Sequence, residues 1–230
     1  MCCLTQTTRP RAALTLLEVV VCLAVVFILG ALLFPSMNSR PPRPRLKASS
    51  VVRSVVNATQ NYSEDYGHPP QIPAALASSA GTESFYSFGD TVAGGCQVPN
   101  SHLFDVLRAI DRGANAGHAL NPRKQKYFED RRATGLDEPH SGFADGTEFP
   151  ARLQGQLLDP WGKQYCIIIE AEKGAGINLK PFFQDLTENM RRSVVVFSMG
   201  KNQQIGGKGY PGRLRRERSN EAPEDIASWQ

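Results

Sequence analysis

Along the chain the strongest pattern is an apolar run. From Leu14 to Phe34 nearly every position is Leu, Val, Ile, Ala or Phe, with Thr15 and Glu18 as the polar interruptions. As a helix rising ~1.5 Å per residue the run reaches roughly 31 Å, the thickness of one bilayer core. From Arg40 onward the chain turns polar and holds most of its 16 Pro and 20 Gly. The segment Arg40-Pro-Pro-Arg-Pro-Arg45 interrupts a helix, because its prolines lack a donor and clash with the preceding turn. Helical spacing resumes near Leu46. Leu46, Val51, Val52, Val55, Val56, Thr59 and Tyr62 line one face, and Gly67 followed by Pro69 ends it. Residues 70–100 carry no convincing period and are expected to form a loop. Ser101 is expected to cap a short helix with Leu103, Phe104, Leu107 and Ile110 on one side and Gly113 near its end.

Further on, Asp159-Pro160-Trp161-Gly162 predicts a turn. The β-rich runs Tyr165 to Glu170 and Ser193 to Ser198 predict two strands. Between them, 173–192 is expected to be an insertion with one short helix around Phe182 to Met190. Asn121 to Asp130 is expected as a surface loop anchored by Tyr127 and Phe128.

The net charge of +4 is mild and forms no dense basic tract interleaved with aromatics, so nucleic acid is not an expected partner. Arg213, Arg215, Arg216 and Arg218 are the densest basic group and read as a solvated loop. Of the 5 Cys, Cys2 and Cys3 lie at the extreme N-terminus and Cys22 within the apolar run. Cys96 and Cys166 are left for the polar part, where an exported domain could join them in one disulfide if the fold brings them together. No CxxC supports zinc or redox chemistry. His68, His102, His118 and His140 are scattered without ligand spacing. Gly206-Gly-Lys-Gly209 lacks the frame of a phosphate loop, and no GxSxG or GxGxxG occurs. No catalytic residue is nominated, and the expectation is a protein that is not an enzyme.

Arg9 and Arg11 precede the apolar run with no acid before Glu18, which predicts a cytoplasmic N-terminus and a head on the far side of the membrane. A secretory signal usually has a shorter apolar region of ~7–15 residues and a cleavage site just beyond it. A lipoprotein anchor is excluded by the position of Cys22 in mid-run, behind three valines. Glu18 is the anomaly: a carboxylate in a membrane helix costs up to ~2.5–3.5 kcal/mol at the centre and less near an end, so it either snorkels to the interface or has a partner.

Ala13-Leu14-Thr15-Leu16-Leu17-Glu18, preceded by basic residues and followed by an apolar helix, resembles the class III signal of type IV pilins and type II secretion pseudopilins. The resemblance implies that a prepilin peptidase cuts between Ala13 and Leu14 and methylates the new amine. It makes Glu18 the fifth mature residue and Pro35 the family's helix-kinking proline. It also supplies the partner for Glu18: the amine of Leu14, on a neighbouring subunit or its own, setting register as subunits assemble. A buried charge pair adds little stability but fixes register well. The chain departs from the family in having Ala13 for glycine and Leu14 for phenylalanine. Both are conservative changes.

Other segments carry the same resemblance. Tyr62-Ser-Glu-Asp65-Tyr66-Gly67-His68-Pro69 is similar to the close of the family's first helix. The DPWG turn with its two strands, and the terminal Glu224-Asp225-Ile226-Ala227-Ser228-Trp229, resemble the major pseudopilin of type II secretion. Residues 70–150 match poorly. That family binds calcium through a loop after its last strand and through acids before the terminal Ile. Here Asn202 replaces an aspartate, Lys201 sits beside it, and Asp225 is the one acid kept in place. Calcium needs several oxygen ligands with carboxylate charge. The expectation is therefore no cofactor, with Asp225 and Asn202 as the candidate ligands if calcium binds.

The implied organisation is a leader at 1–13, a transmembrane and assembly helix at 14–35, a Pro/Arg-rich linker at 36–45 and a periplasmic head at 46–230. The expected fold class is α+β, an N-terminal transmembrane helix followed by a pseudopilin-like head with a small antiparallel sheet. The expected function is a structural subunit of a type II secretion pseudopilus or pilus-like filament, supporting protein secretion from the inner membrane. Its partners would be the prepilin peptidase, other pseudopilins and itself, and the inner-membrane assembly platform. The alternative is a membrane-anchored periplasmic binding protein or enzyme that uses the apolar helix only as an anchor and has no need of Glu18.

Overall fold

The computed structural model describes residues 16–37, 44–71, 85–183, 190–207, 210–211 and 226–228. In chain order the elements are helix α1 (Leu16–Met37), helix α2 (Pro44–Tyr66), β1 (Phe85–Phe88), helix α3 (Ser101–Leu107), β2 (Gly142–Phe143), β3 (Leu157–Leu158), β4 (Cys166–Glu170), β5 (Val194–Ser198), β6 (Gly206–Gly207), β7 (Tyr210–Pro211) and β8 (Ile226–Ala227). They fall into two units, Met1–Pro42 and Arg43–Gln230.

The first unit contains α1, whose helical backbone runs through Pro35 to Met37, past the expected boundary. In the second unit α2 begins at Pro44 rather than near Leu46. A proline at the first helical position costs little, because its missing N–H would have had no partner there. Of the expected interruption from Arg40 to Arg45, Pro44 and Arg45 are helical, and residues 40–43 lie outside the described ones. Along α2, Ala48, Val52, Val55, Ala58, Thr59 and Tyr62 are buried, whereas Leu46 is 65% exposed. Small residues take part in this face, where a search for large apolar side chains overlooks them. Gly67 ends the helix at a φ of +74°, its N–H donating to the Ser63 carbonyl.

A four-stranded antiparallel sheet in the order β1-β4-β5-β8 forms the centre of this unit. Every residue of β4 and β5 is buried, because both faces of the sheet are covered. Ile167, Ile169, Val194, Val196 and Ile226 join the cluster that includes α2 and α3. Cys166, Ile168, Val195, Phe197 and Ala227 join a second one with Ile177, Leu179, Phe182 and Phe183. Two buried faces produce an unbroken apolar run in place of alternation. β1 falls inside the segment expected to be a loop; its four residues are too few to show a period. The helix expected around Phe182 to Met190 falls largely on residues 184–189, outside the described ones. At its flanks Ile177 and Met190 exchange backbone hydrogen bonds.

Helix α3 is shorter than expected and is not capped by Ser101, which is its first helical residue. It stops at Leu107 rather than near Gly113. Ala109 turns to a φ of +55°, and the N–H groups of Ala109 and Ile110 return to the carbonyls of Val106 and Asp105. That is a Schellman ending built without glycine. Asn100, ahead of the helix, directs its side chain elsewhere. Its Nδ2 donates to the Leu157 and Tyr165 carbonyls, and its Oδ1 accepts the Leu157 N–H.

Two more buried asparagines organise the irregular region that follows. Asn115 Nδ2 donates to the carbonyls of Asp105 and Ile110, while its Oδ1 accepts the N–H groups of Leu120 and Asn121. Asn121 Nδ2 donates to the Val106 and Gln125 carbonyls, both at 2.8 Å, and its Oδ1 accepts from Tyr66 Oη and Gln125 N–H. Each amide spends all four of its hydrogen-bonding capacities. The segment 121–130 is thereby fixed without regular structure, with Phe128 buried and Tyr127 donating to Asp65. Asn121→Asp removes two donors and turns acceptors toward the buried Val106 carbonyl and the Gln125 carbonyl. It is expected to lower stability by about 2–4 kcal/mol, measured by urea denaturation; a loss under about 0.5 kcal/mol, the range of an ordinary surface change, would show that this amide is not a staple.

Candidate functional site

Glu18 stands in the first turn of α1, where the positive end of the helix dipole favours a carboxylate. Around it Leu16 is 85% exposed, Leu17 74% and Phe27 81%, and the described side chains from Leu16 to Ile28 are exposed on every side of the helix. A helix that is apolar all round belongs in a core, a bundle of like helices or a lipid phase. Among the described residues no helix is long and apolar enough to cross a membrane. The described side chains of α1 end at Ile28, while its helical backbone continues for 22 residues in all, to Met37. Ala13 and Leu14 lie outside the described residues. Pro35 lies within α1.

The DPWG turn is a latch. Asp159 is fully buried, and its Oδ1 accepts the N–H groups of Trp161 and Lys163, both at 2.9 Å. Its Oδ2 accepts the Ser198 hydroxyl at 2.6 Å, and Ser198 Oγ in turn accepts the Gly200 N–H. The carboxylate therefore ties the turn at 159–163 to the end of β5. Gln203 adds a second tie, its Nε2 donating to the Trp161 carbonyl at 2.9 Å. Burial raises the Asp159 carboxyl above the usual range, against the pull of Ser198 and the backbone N–H groups of the turn. Sequence reading found the turn and the loop that follows the second strand separately. The pairing of a buried acid with a serine thirty-nine residues on left no local signal.

The same loop is the candidate calcium site. Ser198 is already engaged by Asp159, and Asn202 Oδ1 accepts the Gln204 N–H at 3.2 Å. Asp225 lies outside the described residues. Among the described residues no group of three His, Cys, Asp or Glu side chains converges. The loop's own residues, 198–203, offer calcium an amide oxygen but no carboxylate of the kind the ion needs.

Cys96 and Cys166, distant in sequence, meet in the second core. Both are buried free thiols, and the Cys96 thiol donates to the Gly94 carbonyl at 3.8 Å. The neighbouring Cys166 thiol and burial together push the Cys96 thiol well above its ordinary value.

The four histidines sit in separate segments. His68 faces the Pro69 carbonyl, and His140 lies 3.3 Å from Thr134 Oγ1 across an exposed turn. His118 lies 4.0 Å from Asp111. A cleft of about 560 Å³ is lined by Gln60, Glu64, His68, Glu170, Lys173 and Ser193, among others. Glu170 is committed there, its Oε2 accepting the N–H groups of Gly174 and Gly176. No hydrogen bond joins a histidine to an acid–nucleophile pair among the described residues of this cleft. In comparison with known proteins, no family model, no curated protein and no solved structure matches the chain.

Proposed function

We propose that the chain is a structural subunit of a type II secretion pseudopilus or a type IV pilus-like filament, assembled through α1 to support protein secretion. The observation that carries this is Glu18: one carboxylate near the start of a helix that is otherwise apolar on all sides, behind Arg9, Arg11 and the Ala13-Leu14 junction. An anchor needs the apolar surface but has no use for the charge. Assembly uses both. After a prepilin peptidase cuts before Leu14, the new amine pairs with Glu18 of a neighbouring subunit, and the apolar helices pack side by side. Two charges brought together in a low-dielectric bundle attract strongly, and a one-residue slip would separate them.

The head also supports this reading. Its DPWG turn and terminal strand, the segments that resemble the major pseudopilin, both sit against β5. On this proposal the protein sits in the inner membrane with the head in the periplasm. It works with the peptidase, with the inner-membrane assembly platform, and with other pseudopilins and itself.

The deciding experiment is the mass of the N-terminus after coexpression with a prepilin peptidase. The expected product begins at Leu14 and carries one added methyl. An intact Met1 end, or a cut beyond Phe34, would overturn the proposal in favour of an anchored periplasmic protein.

A further inference from the structure

Gly89 and Gly94 are the clue to a modification site. A Cβ on Gly89 would lie 2.8 Å from Cys96 Sγ and 3.0 Å from Cys166 Sγ, so both sulfurs crowd the same point. A Cβ on Gly94 would lie 2.7 Å from Cys166 Sγ. Two positions without side chains thus make room for two thiols, and larger residues at either would push into sulfur. Cys166 is fixed by the register of β4, where Ile167 pairs with Phe88 of β1 and Cys166 with Phe197 of β5.

Cys96 is held as firmly from the other side. Its N–H donates to the Asp90 carbonyl, Asp90 Oδ1 accepts the N–H groups of Val92 and Ala93, and the Gly89 N–H returns to the Val98 carbonyl. Ser87 and Gln97 bond each other in both directions. The loop that carries Cys96 is therefore folded onto β4 with little freedom to carry its sulfur away. Asp90 in this loop pairs with Lys163 at 3.8 Å, and among the described residues no group of three His, Cys, Asp or Glu side chains converges.

We propose that Cys96 and Cys166 close to an intramolecular disulfide when the head folds in an oxidising compartment. A thiol–disulfide oxidant, such as glutathione disulfide, is attacked by one cysteine thiolate to give a mixed disulfide and one released thiol. The second cysteine attacks the mixed disulfide and releases the second thiol. Two protons and two electrons leave the protein, and the oxidant's S–S bond is reduced. With the thiols buried at 5% and 0% exposure, this exchange takes place before the second core closes over them. The bond would gather everything from Cys96 to Cys166, including α3, the three asparagine staples and the DPWG turn, into one covalent ring. Closing a ring this long restrains the unfolded chain strongly.

Only the compartment rests on the proposed function; the chemistry of the pair does not. The test uses the full chain in detergent with Cys2→Ser, Cys3→Ser and Cys22→Ser, reduced, denatured and refolded in glutathione redox buffer. Thiols are then counted by maleimide labelling in denaturant and mass spectrometry. Closure predicts no labelled cysteine, and a melting temperature that falls by roughly 10 °C when reductant is added. The Cys96→Ala variant should label once and melt at a temperature indifferent to reductant. Two labelled cysteines, or glutathione left attached to either, would overturn the disulfide. The same count on protein taken directly from cells addresses the location. A bond that forms on refolding but is open in cells would count against an exported head while leaving the pair intact.

Discussion

Replacing Asp159 by Ala is expected to lower stability by about 3–5 kcal/mol and the melting temperature by roughly 10 °C. The carboxylate accepts two backbone N–H groups and one hydroxyl from a fully buried position. Truncation leaves those donors without acceptors and opens a gap where the turn meets β5. Ser198→Ala removes one of the three bonds and should cost only about 1–2 kcal/mol. The two changes together should cost less than their sum, since they act on one hydrogen bond. A melting temperature for Asp159→Ala within about 2 °C of the parent would mean that the turn is held by packing alone.

The pH dependence of this residue has a definite sign. Its folded pKa is raised, so the native state holds the proton more tightly than the unfolded chain does. The stabilising contribution is complete below the unfolded value of about 3.9 and is lost as pH rises through the folded value. Asp159→Asn cannot titrate. The stability advantage of the parent over this variant should therefore shrink between pH 4 and pH 7 in urea denaturation. An advantage that grows over that range would contradict the raised pKa.

Local periodicity and punctuation carried the long elements into view. α2 with its Gly67 ending and the two central strands lie within a few residues of where apolar spacing put them. What escaped was short or depended on partners far along the chain. β1 is four residues long and is held by pairing with β4, which nothing in Phe85–Phe88 announces. The polar residues Asn100, Asn115 and Asn121 look like loop residues in sequence, yet each is fully buried. Their importance lies in carbonyls fixed by other elements. Ile226 and Ala227 matter as an edge strand, with Ser228 Oγ accepting the Val196 N–H, a structural use for the terminal signature. Glu18 was the opposite case: a charge in an apolar run is conspicuous in the sequence of one chain, while the use proposed for it depends on assembly.

Glu18→Ala is expected to abolish filament formation while leaving the head folded. In the proposed assembly Glu18 neutralises the amine of Leu14. Removing one member of a buried pair leaves the other charge uncompensated, a loss of about 3 kcal/mol or more per contact and roughly a hundredfold in association. The same change makes the isolated helix more apolar, so insertion into the membrane should be unchanged or improved. That combination, better inserted and worse assembled, separates a register-setting charge from an anchor. Glu18→Gln refines it: the amide can still hydrogen-bond but cannot neutralise an ammonium, so assembly should remain close to the Ala variant. Full-length protein coexpressed with the peptidase would be followed by filament counts in electron microscopy and by the melting temperature of the head. Filaments at parental numbers from Glu18→Ala would remove the reason for placing a carboxylate in this helix and leave α1 as an anchor. Loss of filaments together with a lowered head melting temperature would instead indicate that the change disturbs folding, and Glu18→Asp would then be the informative variant. It keeps the charge on a shorter arm, so partial recovery of filaments would trace the defect to the missing charge.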